Sequence, residues 1–229
     1  MPSALVGSTA VVIDVLRATT TIIAALAAGA RAVVPCLTVE DARRRAHDFG
    51  DRAVLAGERS GLRIEGFDLG NSPSEFTPSA VGGRMVVMTT TNGTKALLHV
   101  AQASEILIGA FVNLSAVCSQ LAGKQQIDIV CAGTDDAVTE EDVLAAGAIA
   151  RRMVLADAYQ VNDAGTIAVG TWAHFAGCSH PLADEFRLSA GGRNLLSIGM
   201  NADIECAAEI DRFDLVPRFD AATGEVRLK

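Results

Sequence analysis

A repeated pattern of apolar strand, polar elbow and helix constrains the fold of this chain more than any other feature of its sequence. It is clearest where the β-branched run Ala10–Ile13 gives way to Asp14, Arg17 and three threonines. Apolar residues at helical spacing follow from Ile22. Runs like the first fill the middle of parallel sheets, and the carboxyl ends of such strands are where α/β folds bind ligands. The pattern predicts an α/β protein with a polar site at this elbow.

Two interpretations of this elbow are open when it is taken alone. Asp14 could simply cap the helix that starts among the threonines at 19–21, with Arg17 as a solvated charge. Alternatively, both side chains could bind a ligand beside the exposed amides of the helix N-terminus. The second interpretation is favoured because a similar elbow recurs.

That second elbow follows the predicted strand Met85–Met88. The chain reads TTTNGT over residues 89–94 before apolar residues resume at helical spacing. Hydroxyls, an amide and a turn that glycine permits can together surround an oxyanion. The G-x-x-x-x-G-K-[ST] spacing of a P-loop is absent, so this is a different kind of anion site.

Further apolar runs predict a layered α/β/α fold with mostly parallel strands. The predicted strands lie at Ala32–Cys36, Ala53–Ala56, Ile106–Gly109 and Ile127–Cys131. After residue 157 the alternation thins into an α+β portion. There, 166–175 suits a strand or a helix, 195–200 and 202–212 look helical, and 215–228 predicts a terminal hairpin. We expect one domain over 1–229, with a division into lobes at about 1–125 and 126–229, and the site between them, as the alternative.

A glycine-rich stretch, residues 57–73, lies between the two elbows. Its glycines, with Asn71 and Pro73, predict a long ordered loop. Such loops are uncommon in compact domains and are often functional, although an edge connection is the simpler alternative.

The composition argues against several kinds of partner. A net charge of −8 and a single short arginine cluster, residues 43–45, argue against nucleic acid. We expect no secretory signal, and the uncharged stretch Ala18–Ala30 is too short to span a bilayer, so no membrane partner is expected. Five scattered cysteines without zinc spacing favour reduced thiols and a cytoplasmic location.

Acidic residues at separate elbows indicate the chemistry. Asp14, Glu58 and the Glu141/Asp142 pair would converge if their strands are parallel neighbours, and carboxylates suit Mg²⁺. The cations Arg17, Arg59 and Lys95 would neutralise an anionic substrate.

Other phosphatase signatures are missing. Leu16 stands where a D-x-D motif needs an acid, no H-x-x-x-H pair occurs, and the one C-x5-R match, at residues 206–212, is acidic and helix-forming. These absences leave metal-assisted hydrolysis by water as the favoured chemistry.

Several motifs in a fixed order resemble one family. IDVLRATTTI (13–22), GER-x-G (57–61), GFDLGNSP (66–73), TTTNGTKAL (89–97), CAG (131–133) and ED-x-x-x-AG (141–147) are similar to the 2-phosphosulfolactate phosphatase family. The resemblance implies a Mg²⁺-dependent phosphatase of αβ fold that converts 2-phospho-3-sulfolactate to 3-sulfolactate, a step towards coenzyme M. An acid-rich turn at 134–136 departs from the pattern.

The elbows and the resemblance together give a set of candidate site residues. Asp14, Glu58 and Asp142 are the expected catalytic residues and Mg²⁺ ligands. The small anionic phosphorylated substrate is expected to contact Arg17, Thr19, Thr20, Arg59, Asn71, Ser72, Thr90, Thr91, Asn92, Gly93, Thr94 and Gly133.

Two other functions stay open at this stage. The motifs define the chemistry better than the distal sulfonate, so the substrate could be another small phosphorylated 2-hydroxy acid. A non-catalytic module that binds small anions would also fit. The sequence does not give the oligomeric state, and a homo-oligomer stays possible because chains of this size that are rich in alanine and poor in aromatic residues often self-associate.

Cys131 is the residue most easily mistaken for a nucleophile. It ends an apolar strand next to the predicted site, but no arginine follows at the spacing of a cysteine phosphatase, and Asp135 would raise the pKa of its thiol. We expect Cys131 to pack as a small apolar residue.

Overall fold

The computed structural model describes residues 5–135, 137–157 and 159–229, so Asp136 of the acid-rich turn lies outside the described residues. The strands are β1 (Thr9–Ile13), β2 (Ala32–Pro35), β3 (Ala53–Arg59), β4 (Leu62–Arg63), β5 (Met85–Thr89), β6 (Glu105–Gly109), β7 (Ile127–Cys131), β8 (Arg218–Asp220) and β9 (Glu225–Arg227). The helices are α1 (Ala18–Ala27), α2 (Val39–Phe49), α3 (Pro78–Val81), α4 (Gly93–His99), α5 (Leu114–Leu121), α6 (Glu140–Asp157), α7 (Asp163–Ala176), α8 (Leu182–Leu188), α9 (Ala190–Ser197) and α10 (Asn201–Ala207).

The strands form one mixed sheet with the order β4-β3-β5-β2-β9-β8-β6-β1-β7. The pairs β1–β6, β1–β7, β2–β5 and β3–β5 are parallel, as the alternation of strands and helices predicts. The hairpin of β8 and β9 separates β2 from β6 through three successive antiparallel pairings, so the two parallel groups run in opposite directions. The elbows after β1 and β5 nevertheless lie in contact. The expected layered α/β class is confirmed.

The hairpin of β8 and β9 lies in the middle of the sheet. It pairs antiparallel with β2 through Val33 and Val226 and with β6 through Leu107 and Arg218. The prediction of a hairpin is confirmed. Its position between β2 and β6 was not predicted, and it joins two parallel groups of strands into one sheet.

Helices cover both faces of the sheet because residues along each strand alternate between the faces. In β1, Ala10 and Val12 pack in a core with α1 and α4, whereas Val11 and Ile13 pack in another with α5 and α6. A third, smaller core joins α2 to β2 and β5. Burial on both faces accounts for the continuous apolar run of β1.

The region after residue 157 is mainly helical. The ambiguous segment 166–175 lies within α7, and the sequence did not predict α8. The predicted helix over 202–212 is α10, which already ends at Ala207. In the part of the chain that the structure describes, no helix combines the length and the apolar character needed to cross a membrane.

Candidate active site

The elbow between β1 and α1 holds Asp14 in two ways. Its Oδ1 accepts a hydrogen bond from the backbone N–H of Ala18 (3.0 Å), which satisfies one of the free amides at the start of α1. The hydroxyl of Thr19 donates to the backbone carbonyl of Asp14 (2.9 Å). Asp14 thus contributes to capping, as the simpler interpretation held, and it also lines a cavity at the carboxyl ends of β1 and β5.

The environment of Asp14 destabilises the charged form of its carboxyl group. Burial, together with the negative charges of Glu141 and Glu58, raises the pKa of this carboxyl to about 7, although the hydrogen bond from Ala18 and the nearby Arg17 act in the opposite direction. An acid of this pKa exchanges protons near neutral pH or binds a cation that offsets the repulsion.

Arg17, in the same elbow as Asp14, is fixed by buried contacts. Its Nη1 donates to Oδ2 of Asp203 (2.7 Å) and its Nη2 to the backbone carbonyl of Gly61 (2.6 Å). Asp203 also accepts a hydrogen bond from the hydroxyl of Ser72 (2.5 Å). The guanidinium therefore connects α1, the glycine-rich stretch and α10, and it lines the cavity.

Glu58 ties the glycine-rich stretch to the second elbow. Its Oε2 accepts from the backbone N–H of Gly61 (2.8 Å), and its Oε1 accepts from both the backbone N–H (2.8 Å) and the hydroxyl (2.9 Å) of Thr91. The neighbouring Arg59 donates to Thr89 (3.0 Å). This network explains why the long stretch is ordered and favours a functional role for it.

The second elbow packs directly against Asp14. A Cβ atom at Gly93 would lie 2.6 Å from Oδ2 of Asp14 and 2.4 Å from the Cβ of Ala18, so only glycine fits between the two elbows. Thr90 and Thr94 hydrogen-bond to each other next to this contact. The two strand-end elbows thus form one site, as the sequence pattern predicts.

The cavity between these elements has a volume of about 490 Å³. It is open to solvent and carries groups of both charges. Its lining includes the predicted residues Asp14, Arg17, Glu58, Arg59, Asn71, Thr90, Thr91 and Asn92, together with Leu16, Ser60, Gly61, Thr134, Asp135, Ala190, Gly191, Asn194 and Leu195.

Other predicted residues are close to the cavity but do not line it. The hydroxyls of Thr19, Thr20 and Ser72 are bound to Asp14, Val15 and Asp203 respectively. Thr94, Gly93 and Gly133 also lie outside the lining residues. Lys95 is exposed and is not among them either. The geometry indicates that these residues stabilise the two elbows and do not contact a ligand directly.

Asp142 takes a different place from the one predicted. Its Oδ1 accepts from the backbone N–H of Val15 (2.8 Å) and its Oδ2 from that of Gly133 (3.0 Å), so both oxygens are engaged by the main chain. Burial and the charge of Asp14 raise the pKa of this carboxyl well above its ordinary range. Asp142 joins the ends of β1 and β7 and lies outside the cavity lining.

The predicted trio of metal ligands is therefore not assembled as a cage. No group of three or more His, Cys, Asp or Glu side chains among the described residues is arranged to hold a metal ion. A smaller set is compatible with Mg²⁺, which commonly binds through one or two carboxylates, waters and substrate phosphate oxygens. Asp14 is one such carboxylate. Glu141 is a second buried carboxylate, and its Oε2 has no hydrogen-bond partner among the described residues.

Sequence reasoning missed the wall that α9 contributes. The backbone around Ala190 and Gly191 lines the cavity, together with Asn194 and Leu195. Ser189 caps this helix by accepting from the N–H of Gly192 (3.0 Å), which is a signal that the sequence carries. Its nearness to the β1 elbow is a long-range contact that no local pattern reports.

Cys131 is expected to be dispensable for catalysis. Its Sγ donates to the backbone carbonyl of Asp142 (3.5 Å), and burial with the charges of Asp142 and Glu141 raises the pKa of the thiol to about 12. A thiol of this kind is a poor nucleophile. Cys131→Ala should keep at least about a tenth of the wild-type kcat, measured as phosphate release. A trapped phosphocysteine, or a thousandfold loss with the fold intact, would contradict this.

The chain is an α/β protein with a mostly parallel sheet. Carboxylates, guanidinium groups and hydroxyls lie together at the ends of its strands, an arrangement that suits small anions. A family model described as 2-phosphosulpholactate phosphatase matches residues 1–222, and the chain belongs to this family. The predicted resemblance is confirmed, and family membership supports a phosphatase.

Curated relatives agree with this assignment along nearly the whole chain. A protein of Symbiobacterium thermophilum is 43% identical over 218 residues, covering 94% of this chain and 92% of its own length. A Synechococcus sp. (strain CC9605) protein is 42% identical and covers 95% and 91%. One of Deinococcus radiodurans is 41% identical and covers 95% and 92%. Each is named a probable 2-phosphosulfolactate phosphatase.

Proposed function

We propose that this protein is a Mg²⁺-dependent phosphatase that hydrolyses 2-phospho-3-sulfolactate to 3-sulfolactate and phosphate by direct attack of water. The observation that carries the proposal is a single cavity lined by the buried Asp14 together with Arg17 and Arg59. The names of the relatives support this choice of substrate.

The cations of the cavity account for the binding of a substrate that carries several negative charges. Arg17 is held rigidly by Asp203 and Gly61, and Arg59 by Glu58 and Thr89, so neither guanidinium loses much freedom when an anion binds. A planar guanidinium suits the paired oxygens of phosphate, carboxylate and sulfonate groups. We assign these two arginines to substrate binding.

The acids account for the chemistry. Asp14 would hold Mg²⁺, which, when bound, stabilises negative charge on phosphoryl oxygens and lowers the pKa of a water molecule. Oε2 of Glu58 accepts only one of the described hydrogen bonds, so it can accept another from the attacking water and orient it. Asp142 keeps the elbow of β1 in place through the amides of Val15 and Gly133.

Phosphate release before and after removal of divalent ions tests the proposal. Exhaustive chelation is expected to abolish activity, and added Mg²⁺ is expected to restore it, because the ion would stabilise the charge on the phosphoryl oxygens and activate the attacking water. Full activity after chelation would contradict the proposed Mg²⁺ dependence.

A substrate panel separates the remaining alternatives. We expect 2-phospho-3-sulfolactate to have a higher kcat/KM than 2-phospholactate, which has the same phosphate and carboxylate but no sulfonate. Equal values would favour a broader phosphatase of small phosphorylated 2-hydroxy acids. Tight binding of these anions without any phosphate release would favour the non-catalytic module.

A further inference from the structure

The buried carboxylate of Glu141 has no structural role that the described contacts account for. Its side chain lies in the first turn of α6 and is 2% exposed, and its Oε2 has no hydrogen-bond partner among the described residues. Leaving a charged oxygen buried without a partner costs several kcal/mol in general. Such a group is a candidate for a functional site, where a ligand can supply the missing partner.

Glu141 does not itself line the cavity, but it contacts a residue that does. Its Oε1 lies 2.4 Å from the position that a Cβ of Gly191 would take, and Gly191 lines the cavity. Its charge also raises the pKa of Asp14, so the two carboxylates are close enough to interact. No cation among the described residues is paired with Glu141 by an ion pair.

The carboxylates of Asp14 and Glu141 each pack closely against a glycine. Gly93 admits Oδ2 of Asp14, and Gly191 admits Oε1 of Glu141, each at a distance that a methyl group would not allow. The two glycines belong to different helices, since Gly93 begins α4 and Gly191 lies in α9. Asp142, one residue further along, differs because the main chain engages both of its oxygens.

We propose that Glu141, and not Asp142, is the second carboxylate that binds the divalent cation, in a pair with Asp14. The inference rests on the Mg²⁺ dependence proposed above and names the residues that would bind the ion. Two carboxylates leave positions on the ion for waters and for phosphate oxygens of the substrate, which is the usual way in which Mg²⁺ is bound at phosphoryl-transfer sites. Gly191 is then a positioning residue that lets α9 close over the Glu141 carboxylate.

The test measures cation binding and folding separately from activity. Mg²⁺ binding to metal-free protein is followed by titration calorimetry in the presence of inorganic phosphate, and melting temperature by circular dichroism. Glu141→Gln should weaken Mg²⁺ binding at least about tenfold, the scale of a perturbed metal site, and lose most of the Mg²⁺-induced rise in melting temperature. Its metal-free melting temperature should equal or exceed that of the wild type, because an unpaired buried charge is removed.

A matched control is the exposed neighbour Glu140, for which Glu140→Gln should bind Mg²⁺ like the wild type. A second variant, Gly191→Ala, displaces the Glu141 carboxylate without changing any charge and should also weaken Mg²⁺ binding. Its control is Gly170→Ala, since a Cβ at Gly170 would meet no atom within 4 Å.

The possible failures are distinguishable. Wild-type Mg²⁺ affinity in Glu141→Gln, or a metal-free melting temperature well below that of the wild type, would overturn the assignment of Glu141 while leaving the proposed function intact. Absence of Mg²⁺ binding to the wild-type protein would instead overturn the metal dependence itself, and the inference with it.

Discussion

Asp14→Asn is expected to lower kcat by on the order of a thousandfold, the scale seen when a single member of a catalytic group is removed. The amide keeps the shape of the side chain, and its oxygen can still accept from the N–H of Ala18, so the helix cap is preserved. What is lost is the charge that would hold the cation. Phosphate release under saturating substrate and Mg²⁺ measures the effect.

The stability of the same variant separates its chemical role from its capping role. Because the folded-state pKa of Asp14 is about 7, above its ordinary value of 3.8, the folded protein binds a proton more tightly than the unfolded chain. The contribution of this group to stability is thus present at about pH 4 and is lost as pH rises to about 7. In metal-free buffer at pH 8, Asp14→Asn should melt no lower than the wild type. A large fall in melting temperature would favour a purely structural Asp14.

Asp203→Ala is expected to destabilise the protein by about 3–5 kcal/mol, the usual cost of leaving one member of a buried ion pair alone. The side chains of Arg17 and Asp203 are only 3% and 5% exposed, and removal of the carboxylate also leaves the Ser72 hydroxyl without this acceptor. Urea unfolding followed by circular dichroism measures the loss. Substrate affinity should fall as well, because Arg17 is no longer held in place.

An exposed ion pair provides the control. Asp184→Ala breaks the contact of Asp184 with Arg187 (2.6 Å), in which the Asp184 side chain is half-exposed and the Arg187 side chain partly exposed. The free energy of unfolding should fall by at most about 1 kcal/mol. In the double variant Arg17→Met/Asp203→Ala no lone charge remains buried, so part of the lost stability should return. An equal effect of Asp203→Ala and Asp184→Ala would show that the Arg17–Asp203 pair is not buried in solution.

The site could be predicted from the sequence where local patterns carry the information. A polar residue directly after a buried strand lies at the carboxyl end of that strand, where α/β folds bind ligands, and Asp14 has this position and lines the cavity. Its contact with the second elbow does not follow from parallel neighbours, because β1 and β5 belong to groups of strands that run in opposite directions. The choice between Glu141 and Asp142 was beyond such reasoning. Adjacent residues in a helix point about 100° apart, so spacing alone does not tell which of two carboxylates faces the site. The structure separates them through the amides of Val15 and Gly133.

Contacts between distant segments account for the remaining gaps. Gly191 meets Glu141 across 50 positions of the chain, and no periodicity or capping signal encodes such a contact. The terminal hairpin was recognisable from its turn, but strand order depends on packing across the whole domain. Its apolar residues Phe219 and Val226 indicate only that the hairpin is buried. They do not tell a central position in the sheet from one at its edge, because both positions bury such residues.

The central position of this hairpin has a consequence for biosynthesis. Synthesis is vectorial, so β2 and β6 leave the ribosome long before the residues 218–227 that will separate them. Until then each nascent strand has a free edge of unpaired N–H and C=O groups, and such edges associate with other chains. Ribosome-bound chains arrested before residue 218 should therefore aggregate on release more readily than chains arrested after residue 227 has emerged.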